Sequence, residues 1–166
     1  MEFLTKAQVS RWLSGNGWEY LNAEGWRRQF LRRLCYRLPK DTGSKTVLGR
    51  QLLDIHHGDG LFWITDWGAY PNLGNMELFY GYRKYLGENR LLIEVPGHTF
   101  NAEERATLES LLHMSLYFFW DSILLWKDWD TVIVTSNDEF IDVYARTQQT
   151  LEIFKERLSN LEAVPN

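Results

Sequence analysis

The stretch Asn101–Trp126, NAEERATLESLLHMSLYFFWDSILLW, reads as one long helix that must be buried on most of its sides, and the fold is arranged around that reading. Asn101 is a good N-cap, and Glu104 stands three residues on, where a capping box places its partner. From Leu111 to Trp126 the only polar residues are His113, Ser115, Asp121 and Ser122. A helix apolar all round is either the core of a domain or a membrane span. Spanning needs about 20 uninterrupted apolar residues, and this run is shorter and carries an Asp, so a central helix inside a domain is expected and no membrane association.

On its C-terminal side, Thr131–Thr135 is a β-branched strand, Ser136–Glu139 a turn, and Phe140–Tyr144 a strand pairing back as a hairpin. A last helix, from about Arg146 to Leu161, presents Leu151, Phe154, Leu158 and Leu161, and the tail from Ala163 should fray. On the N-terminal side, Arg90–Val95 (RLLIEV) and Leu61–Trp67 (LFWITDW) are runs of the kind found in strands covered on both faces. Between them Asn75–Leu86 is an amphipathic helix with Met76, Phe79, Tyr80 and Arg83 as neighbours. A further helix, capped by Asp41 or Thr42, carries Val47, Leu48, Leu52 and Ile55 and ends at His56-His57-Gly58. Residues 26–38 fit either helical or strand spacing; a strand over Gln29–Leu38 is favoured because a βα alternation follows it. Trp18–Leu21 is a possible short strand, after a helix over Leu4–Ser14. Strands alternating with helices imply right-handed crossovers. The expectation is therefore an α/β single domain: a mostly parallel sheet, a C-terminal antiparallel hairpin and a central buried helix.

A chain of 166 residues with 45% hydrophobic content can bury a real core, which excludes a disordered or fibrous protein. Aromatics make up 15%, with eight Trp, more than such a core needs, so some are expected at a surface or groove. The lone Cys35 permits neither a disulfide framework nor a cysteine zinc site. With no signal-peptide pattern in MEFLTKAQVSRW, a cytoplasmic location is expected. The net charge of −4 is unevenly spread: residues 1–50 hold ten basic and four acidic side chains, the remainder eight and eighteen. Solvated faces explain this, as do an anion-binding basic part and an acidic part that meets a basic partner.

Dinucleotide, P-loop, zincin and nucleophile-elbow motifs are all absent. No cofactor and no metal is expected. In open α/β sheets ligands sit beyond the carboxyl ends of strands, which singles out Asp66, His98 and Asn137 with Asp138. Asp66 and His98, with Asp121, could serve a small hydrolase or metal-dependent enzyme; equally, Asp66 and His98 could simply serve their turns. Asp121, inside an apolar run, must be paired, protonated or on an exposed stripe. His56 and His57 point about 100° apart on a helix, so they rarely share an ion. Most weight falls on an acidic and aromatic set, Trp126, Asp128, Trp129, Asp130, Asp138, Glu139, Phe140 and Asp142, in which aromatics anchor and carboxylates specify a basic protein partner. The same charges would also guard a sheet edge.

Trp63-Ile-Thr-Asp-Trp-Gly-Ala-Tyr-Pro71, Asn75-Met-Glu-Leu-Phe79 and Leu92-Ile-Glu-Val-Pro-Gly-His98 resemble segments of bacterial hypothetical proteins, over roughly Val47 to Ala145. The resemblance implies a bacterial source and no activity. The functional expectation is a non-enzymatic protein-binding module, of the immunity or inhibitor kind, that masks a basic toxin such as a nuclease. The Asp66/His98 enzyme is the first alternative. Nucleic-acid binding through Arg27, Arg28, Arg32, Arg33 and Arg37 is the second, made unlikely by the acidic remainder.

Overall fold

The computed structural model describes residues 1–18, 32–67, 73–128 and 130–164. Seven strands, β1 (Glu2–Leu4), β2 (Arg32–Arg37), β3 (Gly60–Asp66), β4 (Gly97–Phe100), β5 (Asp121–Trp126), β6 (Thr131–Ser136) and β7 (Phe140–Ala145), form one sheet in the order β1-β4-β3-β5-β6-β7-β2. The described helices are α1 (Lys6–Gly15), α2 (Thr42–Asp54), α3 (Leu73–Tyr85), α4 (Arg105–Tyr117) and α5 (Gln148–Arg157).

Every pairing between these strands is antiparallel, which overturns the mostly parallel sheet while leaving an α/β composition. Two segments account for the difference. The run taken as one helix is two elements: a 3-10 turn at Ala102–Glu104 leads into α4, which ends at Tyr117, and Asp121–Trp126 is β5, the strand between β3 and β6. The run taken as the strand Arg90–Val95 is a turn, with Leu92 and Val95 buried, and the strand begins two residues later at Gly97. Inserting β5 and shifting β4 reverses the direction in which the neighbours of β3 run.

What stops α4 is a Schellman arrangement without its usual glycine. The Trp120 N–H donates to the Ser115 carbonyl at 3.0 Å, and Phe119 occupies the left-handed region at φ 54°. Left-handed backbone is uncommon for any residue with a Cβ and an outlier for a bulky aromatic. Neither Gly nor Pro therefore marks the break in LYFFWDSILLW. β5 that follows is covered on both faces, so its SILLW run is continuously apolar and reads like buried helix.

The sheet separates two apolar clusters. On one face, Phe62, Ile64, Leu124, Trp126, Ile133, Ile141 and Val143 pack with Leu48 and Leu52 of α2, Phe79 of α3, Leu111 and Leu112 of α4, and Leu151 and Phe154 of α5. On the other, Leu61, Ile123, Leu125, Val132 and Tyr144 meet Val9 and Leu13 of α1, with Trp18. Strand alternation produces this division, since successive side chains of β3 and β5 point to opposite faces. α1 starts on a capping box made by Thr5 and Gln8, and Asp41 caps α2 by accepting from Ser44 N at 2.8 Å. The C-terminal segment does not fray as far as Val164: its N–H donates to the Cys35 carbonyl, and Ala163 bridges Tyr36 on the outer edge of β2. Among the described residues no helix is long and apolar enough to cross a membrane.

Candidate functional site

Strands β2, β3 and β6 finish at one end of the sheet, where β5 and β7 begin. That end is acidic. Asp66, the last residue of β3, is the register partner of Asp121, the first of β5, so two carboxylates face each other across adjacent strands. Like charges directly opposite are unfavourable in a sheet. The hairpin between β6 and β7 contributes exposed Asp138, then Glu139 at φ 66° and Phe140. Asp121 Oδ1 accepts the Asn137 N–H at 2.5 Å. Burial pushes the Asp121 carboxyl above its ordinary value; that hydrogen bond works against the rise, and the charges of Asp66 and Asp138 add to it.

The structure brings Asp66 and Asp121 together but not Asp66 and His98. His98 is the register partner of Phe62, four residues before Asp66 on β3, or about 13 Å along the strand. It is 0% exposed, ringed by Phe3, Phe62 and Phe79, with Nδ1 3.3 Å from the Phe62 carbonyl and Nε2 without a hydrogen-bond partner among the described residues. Burial, with the Arg83 charge adding, pulls its pKa down to about 3, so it is a neutral core imidazole. Arg83 of α3 is also fully enclosed. Its Nη2 donates to the Val95 carbonyl at 2.8 Å, its guanidinium lies over the Phe3 and Phe79 rings, and Nε and Nη1 find no hydrogen-bond partner among the described residues. Burial lowers its pKa to about 10, against the pull of Glu88.

The acidic and aromatic set does not form one face. Asp138, Glu139 and Phe140 lie at the acidic end, whereas Trp126, Asp128 and Asp130 lie at the opposite end, the full length of β5 and β6 away. Trp126 is a core residue, 1% exposed, with its ring edge-on to Phe100 and His56. Asp128 pairs with His56 at 3.1 Å, and the hydrogen bond from that ring holds its carboxyl below the usual range. Asp130 Oδ1 accepts from the Thr150 hydroxyl at 3.4 Å. Asp142 sits mid-strand on β7, where the Arg33 guanidinium donates to both its oxygens at 2.9 and 3.0 Å. Trp129 falls outside the described residues.

No family model, curated protein or solved structure matches the chain. Among the described residues no group of three or more His, Cys, Asp or Glu is placed to hold a metal ion.

Arg32, Arg33 and Arg37 of β2 are all engaged: with the Arg146 carbonyl, with Asp142, and with Glu162 and the Phe140 ring. Arg27 and Arg28 lie outside the described residues. The sequence reading missed the burial of Lys45 (4% exposed) and Glu88 (6% exposed). For Arg83 a signal existed, since it stands four residues after Phe79 on the apolar stripe of α3.

Proposed function

We propose that this chain is a protein-binding module whose acidic sheet end, Asp66, Asp121, Asp138 and Glu139 with Phe140, captures a basic protein. A basic toxin such as a nuclease, masked in the manner of an immunity or inhibitor protein, is the partner that suits this chemistry.

The observation that carries the reading is Asp121. It is partly buried, opposite another aspartate, its carboxyl is raised, and among the described residues none of the groups acting on it is a cation. A fold that needed only stability would place a neutral residue there. A lysine or arginine brought by a partner would relieve the repulsion and draw the carboxyl back towards its ordinary value. Asp128, Asp130 and Asp142 are excluded from this face by position, each having a partner elsewhere in the fold.

The test is binding of a lysine-rich peptide to the native chain and to a variant carrying Asp66→Lys and Asp138→Lys. Binding that weakens as salt rises and is lost in the variant supports the proposal. Equal binding by both proteins, or none by the native chain, refutes it. Circular dichroism of the variant checks that the sheet is intact.

A further inference from the structure

Between the start of α2, the end of α4 and the exposed side of α3 lies an apolar groove of about 240 Å³, lined by Thr42, Lys45, Thr46, Leu78, His113, Met114, Tyr117 and Phe118. Its rim carries two of the most exposed large apolar side chains, Leu78 at 59% and Tyr117 at 53%. Lys45, on its wall, is 4% exposed. Its ammonium lies over the Phe119 ring, 3.4 Å from the centroid, and 6.0 Å from that of Tyr117. It makes no hydrogen bond or ion pair among the described residues. Burial pulls its pKa below the ordinary lysine value, and the charges of Glu139 and Asp41, which lie outside the groove lining, pull the other way. Asp41 is already spent on the Ser44 N–H as the cap of α2.

A long, strongly hydrated cation buried in a mostly apolar wall, over an aromatic ring and without an ion pair among the described residues, is costly beyond what the ring contact offsets unless something more compensates it. The ring that touches it adds to the strain, because Phe119 holds a left-handed conformation that glycine would adopt freely. An unpaired buried lysine of the groove wall and, behind that wall, a phenylalanine where glycine fits are in contact. His113 is fixed beside them by Nε2, 3.0 Å from the Thr46 carbonyl, and Gly49 permits this, since a Cβ there would run into the His113 ring.

We infer that this groove binds a small apolar carboxylate, its short chain or single ring lying against Leu78, Met114, Tyr117 and Phe118 and its carboxylate meeting the Lys45 ammonium. The volume is below the roughly 300 Å³ at which drug-sized pockets begin, which limits the occupant to that size. Thr42 stands at the same wall, while the Thr46 hydroxyl is already spent on the Thr42 carbonyl at 3.0 Å.

The experiment uses octanoate, octanol and octylamine on the whole chain. Calorimetry measures affinity, and carbon-labelled methionine methyls report position through Met114, with Met76 as the internal comparison. The expected result is saturable octanoate binding that shifts Met114, with octanol weaker by about tenfold or more, the scale of a charge-assisted contact, and octylamine not binding. Lys45→Met should remove the preference of octanoate over octanol. Leu78→Glu, at an exposed position that leaves the core untouched, should abolish binding of both. Octanoate and octanol binding alike to the native chain would overturn the inference, as would shifts confined to Met76 or the absence of saturable binding.

Discussion

His98 makes the protein sensitive to mild acid, in a window that opens above the range in which carboxylates protonate. Its pKa of about 3 in the folded chain stands against an ordinary value of 6.5. The folded value is depressed, so as pH falls below about 6.5 the unfolded chain takes up the proton first and stability declines until about pH 3. Above about pH 7.5 the effect is flat. Each unit of difference is worth about 1.4 kcal/mol, so moving from about pH 7.5 to about pH 4.5 should cost roughly 2.5–3 kcal/mol. The ring is 0% exposed and faces Phe3, Phe62 and Phe79, so solvent does not screen this difference. Arg83 on α3 opposes the protonated form and Glu88 after α3 favours it, both already included in the net depression. The assay is urea unfolding followed by tryptophan fluorescence at both pH values, for the native chain and for His98→Leu. Subtracting the variant removes the contributions of the other histidines and of Glu88 and Asp128, which both proteins share. The native chain should lose roughly 2.5–3 kcal/mol more than the variant. Equal losses would mean that His98 is hydrated and that the enclosure described here is wrong.

Asp121→Asn should raise stability near neutral pH by a few tenths to about 1 kcal/mol, as expected on removing one of two like charges across a strand pair. The gain should fade in acid as the Asp121 carboxyl, held above its ordinary value, is neutralised; thermal melts at two pH values show it. Gly49→Ala, favoured by about 1 kcal/mol on helix propensity, should instead destabilise by roughly 1–3 kcal/mol, since the new methyl meets His113. Leu124→Ala should cost about 2–5 kcal/mol, because β5 is an interior strand and Leu124 is 1% exposed; a loss below about 1 kcal/mol in urea would place β5 at an edge.

The short elements were legible because their signals are local. Asp41 before VLGRQLLD, Thr131–Thr135 with its turn, and LFWIT each carry a cap, a β-branched run or a breaker that local chemistry decides. Sheet direction was not legible. It depended on where α4 stops, and that stop is made by Phe119 in a left-handed conformation, with tertiary packing overriding the preference for glycine. In RLLIEVPGHTF the apolar density peaks at Leu91–Val95, yet pairing begins at Gly97, because Leu92 and Val95 are buried from a turn. Composition found the acidity and the aromatic content but could not say which acids share an end. Asp66 and Asp121 are 55 positions apart in the chain and become partners only through the register of β3 with β5.

The most direct test of the central claim is a nitrogen-labelled NMR titration of the native chain with a lysine-rich peptide. The account predicts that the amides of Asp66, Asp121 and the Ser136–Phe140 turn move together and return as salt is added, while those near His56, Asp128 and Asp130 stay still. Shifts centred on the His56–Asp128 end, or no salt-sensitive shifts, would contradict it.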